Sequence, residues 1–168
     1  MIEKEALLEQ LQQQRKALFT LIDDVPEEVL ALPNVVDTWS VLDMLAHLTA
    51  WDGEALRRLM FVTGESYQSP HDVHDEAYWR EWGQKQVELK RVMGARGIKV
   101  DMAGTWVRLL ARINELERFH YSRWLELNPQ LMDSSNLDYI EPLQAWRDEW
   151  ERSLSLWQKV QRRFRWKK

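Results

Sequence analysis

The sequence predicts an all-α protein, a four-helix bundle with a long crossover that carries an extra helical segment. Three observations carry that prediction. Apolar residues recur at three- and four-residue steps along four long segments. No stretch of useful length alternates apolar and polar residues with the period of a strand. Only six Gly and five Pro occur in 168 residues, too few for a turn-rich β protein. The length is that of one domain and no linker divides it, so residues 1–168 read as a single helical domain.

The first helix is expected over residues 3–24, where Leu7, Leu11, Leu18, Leu21 and Ile22 form one stripe that leads into Val25. Asp24 ahead of Pro26-Glu27-Glu28 starts a short turn through Leu32, which Pro33 and Asn34 end. The second long helix spans Ser40 to Thr63. Ser40 and Asp43 have capping-box spacing and Gly64 closes the helix. Its apolar face comprises Val41, Met44, Leu45, Leu48, Trp51, Ala55, Leu59 and Val62, with His47, Asp43, Glu54 and Arg58 along one edge. Asp52 falls inside that face, an unusual place for a carboxylate. A polar loop over 64–73 leads to a third segment over 74–93, and residues 94–104 read as a connection. The fourth helix, over 105–127, carries Trp106, Leu110, Ile113, Glu117, His120, Trp124 and Leu127 on a heptad seam, and Asn128-Pro129 ends it. The last helix, over 141–165, has Leu143, Trp146, Trp150, Ser153, Trp157, Val160 and Phe164 on its seam. About 40 residues separate the second and fourth segments, enough for a crossover connection.

Composition removes several kinds of chemistry. With no Cys, a disulfide framework, a thiolate zinc site and a Cys nucleophile are excluded. The ten Trp are the compositional outlier. The net charge of −4 is unevenly spread, because residues 159–168 are basic with no acid and the body is acidic. An acidic body does not suit a nucleic-acid binder. The basic end either complements a helix C-terminus or touches phosphates or anionic lipid. No stretch is long and apolar enough for a transmembrane helix, and the N-terminus lacks a signal peptide's pattern, so the expected location is the cytoplasm.

There is no GxGxxG, P-loop, HExxH or GxSxG pattern. Three groupings of the four His remain. Glu117-Arg-Phe-His120 is one Glu-x-x-His on a core-facing seam. Di-iron bundles use two such motifs with two further Glu, so the alternative is a buried histidine bonded to a carboxylate. His71-Asp-Val-His74 would join two imidazoles if helical. His47 has Asp43 four residues before it, positioned to orient one ring nitrogen and leave the other as ligand or base; the alternative is a charge cluster of Asp43, His47, Glu54 and Arg58 on a bundle flank.

The run Asp37-Thr-Trp-Ser-Val-Leu-Asp-Met-Leu-Ala-His-Leu-Thr-Ala-Trp-Asp52 resembles the W-S-x-x-D-x-x-x-H-(x)3-W-(D/E) signature of the DinB-like superfamily, in particular the DfsB/ClbS-type four-helix bundle proteins. The order of helices fits that layout along nearly the whole chain. The resemblance implies an up-down-down-up bundle. Many such proteins hold a divalent metal with three His, one from the motif helix and two from the last helix, and serve as thiol-dependent transferases or isomerases. ClbS-like members protect against a DNA-damaging small molecule.

This chain keeps His47 at the motif position but has no His after His120. Trp146, Trp150, Ser153 and Trp157 stand on the last seam instead. Indole nitrogen is a donor only, so the metal site implied is a degenerate one, rebuilt at most from His47 and His120 with Glu117. The expected function is small-molecule binding or modification in the bundle core. His47 would be the catalytic base or partial ligand, with Trp51, Asp52, Glu117, Trp124, Trp146 and Trp150 around the pocket. The alternative is a non-enzymatic bundle that takes an apolar ligand or dimerises through its Trp-rich seam. Whether the chain is an enzyme, and whether it is monomer or homodimer, stays open.

Overall fold

The computed structural model describes residues 2–66, 76–128, 139–155 and 158. The expected His71/His74 pair, Trp157 and the basic segment 159–168 lie outside these residues.

Among the described residues the fold is all-α, and its only extended pairing is an isolated bridge between Val36 and Trp39. Helix α1 (Lys4–Ile22) turns Leu7, Leu11, Leu18 and Ile22 inward, as their spacing requires. Helix α2 (Glu27–Leu30) is the short turn expected after Pro26. The chain then bends through Asn34 (φ 69) and Asp37 (φ 52), two residue types that tolerate the left-handed region. Hydrogen bonds from Val35 N to Trp39 O (2.8 Å) and from Trp39 N to Val36 O (2.9 Å) close this bend. Helix α3 (Val41–Val62) starts on the expected capping box. The Asp43 amide donates to Ser40 Oγ (3.1 Å), while the Ser40 amide and hydroxyl donate to Asp43 Oδ2 (3.0 and 2.9 Å). Such a cap stabilises a helix start by about 0.5–2 kcal/mol.

Helix α4 (Glu76–Arg91) matches the third segment, but the chain departs from expectation directly after it. Residues 94–104 are not a connection. Gly94, at φ 65, makes a tight turn and helix α5 (Gly94–Glu115) begins at once, burying Ile98, Met102, Thr105, Leu109 and Ile113. That stripe has helical spacing throughout, and the tertiary contact of Ile98 and Met102 outweighs the turn signal of three nearby glycines. The expected helix over 105–127 is likewise two. Leu116 takes extended backbone (φ −64, ψ 132) and drops its side chain into the core, and Lys4 Nζ meets the freed carbonyls of Asn114 (2.8 Å) and Leu116 (3.2 Å). Helix α6 (Arg118–Leu127) then restarts two residues on. Helix α7 (Ile140–Ser153) ends earlier than expected, at an extended Leu154.

The core has two parts, both lined by α3. Leu18, Ile22, Val41, Met44, Leu45, Ile98, Met102 and Leu143 make one, and Leu7, Leu11, Ala55, Leu59, Leu109, Ile113 and Trp124 make the other. Each fully buried aliphatic contributes about 1.5–3 kcal/mol. Helix α3 packs against α4, α5 and α6, while α1 packs against α5 and α7. No described helix is long and apolar enough to cross a membrane.

Candidate functional site

The site grows out of the middle of α3. His47 lies half-buried there, and four aromatic or backbone groups from separate parts of the chain converge on its imidazole. Trp39, delivered by the bend before α3, has its ring centroid 4.9 Å away. Tyr139, just ahead of α7, lies at 6.0 Å with its ring edge-on. Trp51, one turn along α3, donates its indole N–H to His47 Nε2 at 3.0 Å. The backbone of Gly83 on α4 presses against the fourth side, so closely that a Cβ there would stand 2.8 Å from His47 Cε1 and 3.1 Å from Nδ1. Trp51 packs in turn against Trp79 and Trp82 of α4, each 5.0 Å from it, and those two rings meet each other at 5.5 Å.

These contacts fix the state of the imidazole. An indole nitrogen only donates, so Nε2 offers its lone pair and the neutral ring carries its proton on Nδ1. That Nδ1–H is buried and has no hydrogen-bond partner among the described residues. Burial pushes the His47 pKa down from 6.5 to about 4, so the ring is neutral at physiological pH.

Asp43, expected to orient His47, does not touch it. Its carboxylate closes the α3 cap and accepts from Arg91 of α4 (2.7 and 3.1 Å). Burial raises the Asp43 pKa, but the bonds from Arg91 and Ser40 outweigh it and hold the group below its ordinary value. Glu54 also joins no cluster with His47. It accepts from Arg57 and Arg58 at 2.8 Å, and those bonds outweigh desolvation and lower its pKa.

The remaining expected pocket residues separate. Asp52 faces away from His47, toward α1, where Arg15 Nη2 bridges both carboxylate oxygens at 3.0 and 2.7 Å. Trp106 lies under that guanidinium, 4.2 Å from its centre. Glu117 is exposed at the start of α6 and not on a core seam, because the helix break at Leu116 turns the chain. His120, three residues on, is half-buried beside Phe119. Trp124 is fully buried in the second core and donates to the Ala55 carbonyl at 2.9 Å, an interior residue with its one donor satisfied. Trp146 and Trp150 stack on each other (6.4 Å, 9°) against the first core, as Trp39 and Tyr139 also pack on it. Of the expected set, only Trp51 touches His47 directly among the described contacts. Sequence reasoning missed Trp79, Trp82, Gly83 and Tyr139 as neighbours of this site. The signal available was Trp79, Trp82 and Gly83 together in one helix, since a glycine inside a helix costs about 1 kcal/mol and marks a close approach.

Among the described residues, those around His47 do not fit a divalent metal. His47 has one nitrogen accepting from Trp51 and the other protonated, and a metal needs a free lone pair. Asp43, Asp52 and Glu54 are all engaged by arginines. No group of three His, Asp or Glu among the described residues is placed to hold an ion.

An all-α bundle with its motif histidine enclosed by aromatic rings therefore defines a helical-bundle protein whose polar centre lies on the second long helix. The family model of the DinB superfamily matches residues 10–165, and the chain belongs to that superfamily. No curated protein and no solved structure matches it.

Proposed function

We propose that this DinB-superfamily protein binds a small molecule without a metal, at the interface of α3, α4 and the start of α7, and that His47 is the recognising group. The observation that supports this reading is the unpartnered Nδ1–H of His47 amid aromatic rings. A buried donor left unmade costs about 1–3 kcal/mol, which an acceptor atom on a ligand recovers. The aromatic walls favour a compact apolar or aromatic body, so the ligand class is an aromatic or apolar molecule carrying a carbonyl or similar oxygen. Recognition has more support than base catalysis by His47, whose lone pair is held by Trp51.

Acetophenone and ethylbenzene share a skeleton and differ in the acceptor. The expected result is saturable quenching of Trp fluorescence by acetophenone, at least several-fold tighter than by ethylbenzene. His47→Phe, which keeps a ring and removes the donor, should abolish that difference. Equal binding of both probes, or no loss of preference in His47→Phe, refutes the reading. Equal binding supports the plainer alternative of an apolar ligand site. Sedimentation at two protein concentrations separates that outcome from self-association.

A further inference from the structure

We propose that Trp51 is a positioning residue that fixes His47 as an Nδ1–H donor and thereby withholds its Nε2 lone pair from divalent metals. This goes beyond ligand recognition, and it holds whether or not a small molecule binds.

The first support is chemical. The 3.0 Å contact between Trp51 Nε1 and His47 Nε2 can only run from indole to imidazole. It consumes the lone pair that a metal would need and leaves the proton on the other nitrogen. The second support is mechanical. Trp51 is not a free rotor, because Trp79 and Trp82 of α4 hold its ring at 5.0 Å on either contact. Helix α4 therefore acts on the imidazole through its hold on Trp51.

The test is residue-resolved 15N NMR of the imidazole nitrogens at pH 7, with His47→Phe used to assign the His47 signals. In the wild-type protein His47 should show a protonated Nδ1 and an unprotonated, hydrogen-bonded Nε2. One equivalent of Zn2+ should leave both unchanged, even if signals of other histidines move. Trp51→Phe should convert the single tautomer into a mixture. A wild-type His47 protonated on Nε2, or a stoichiometric Zn2+ shift at His47, overturns the proposal. So does a Trp51→Phe protein that keeps the single wild-type tautomer. If Trp51→Phe does not fold, the wild-type tautomer and its Zn2+ response decide the matter alone. Failure of the probe pair to bind would leave these readouts untouched, so the two proposals fail separately.

Discussion

Helix α3 places two titratable groups in the bundle interior within two turns, and treats them oppositely. His47 and Asp52 point about 140° apart on the helix. His47 faces α4 and the start of α7, and is kept neutral among rings with one donor left unmade. Asp52 faces α1, where Arg15 answers its charge, and both side chains are about nine-tenths buried (10% and 12% exposed). The difference teaches that burial alone does not identify a functional group. Asp52 finds its charge partner within the fold, although Arg15 Nη1 is, like His47 Nδ1, a buried donor without a hydrogen bond among the described residues; His47 differs in having no charged partner at all among the described contacts.

The comparison breaks most sharply at the ion pair. Arg15→Met leaves a carboxylate buried without its partner and should destabilise by about 3–5 kcal/mol at pH 7. Burial already holds the Asp52 pKa near 6 against the pull of Arg15. Without Arg15, therefore, the loss should shrink as pH falls and Asp52 protonates. Arg15→Met with Asp52→Leu should recover most of the stability, because apolar replacements of buried pairs are often neutral. Urea unfolding at two pH values checks both, and a single Arg15→Met variant as stable as wild type would show the pair to be idle.

The next effect is in the pH dependence. His47 titrates at 6.5 when unfolded and near 4 when folded, so the unfolded chain binds the extra proton between these values and stability from His47 rises with pH. Asp52 runs the other way. It moves from 3.8 to about 6 on folding, so the folded chain binds the extra proton and stability from Asp52 falls as pH rises through that range. Each amounts to about 3 kcal/mol at the extremes, and between pH 4 and 6 they oppose. His47→Phe should therefore give a protein whose stability declines from pH 4 to 6 relative to wild type, and Asp52→Asn one whose stability climbs. Parallel profiles for all three proteins would contradict the assignment.

A smaller effect comes from Gly83→Ala. The new Cβ would press on the imidazole, and overpacking of this kind costs about 1–3 kcal/mol, less about 1 kcal/mol regained in helix propensity. In a His47→Ala background the same change should become neutral or stabilising, which thermal unfolding of the double-mutant cycle reads directly. Smallest of all, Glu117→Ala should stay within about 0.5 kcal/mol of wild type, since the side chain is exposed. A large loss there would restore the core-facing position that its heptad spacing suggested.

Much of this architecture was legible beforehand, and the reason is local. The α3 cap rests on Ser40 and Asp43 three residues apart, and the stripes of α1 and α3 follow helical spacing. Turn signals misled where tertiary contact won. Gly94 made a tight turn, not a loop, and Leu116 broke a seam whose periodicity ran straight through it. The candidate site was half legible. His47 and Trp51 are neighbours along one helix, so their meeting follows from i, i+4 geometry. Arg15 with Asp52, and Gly83 with His47, are meetings between helices, and they depend on rotations about helix axes that one sequence does not specify.

Helix α4 turns few side chains inward. Between Tyr78 and Arg91 only Gly83 and Val87 are buried, and Arg80, Glu81, Gln84, Lys85, Glu88 and Leu89 are exposed. Lys90 to Asp101 (2.5 Å) and Arg91 to Asp43 anchor its C-terminal end, and Arg58 lies over Trp79 nearer its start. In native-state hydrogen exchange its amides should thus lose protection at lower free energy than those of α3. The helix that seals His47 is then the one the protein can spare longest without unfolding, and the imidazole is exposed to solvent at a rate the bundle's overall stability does not set.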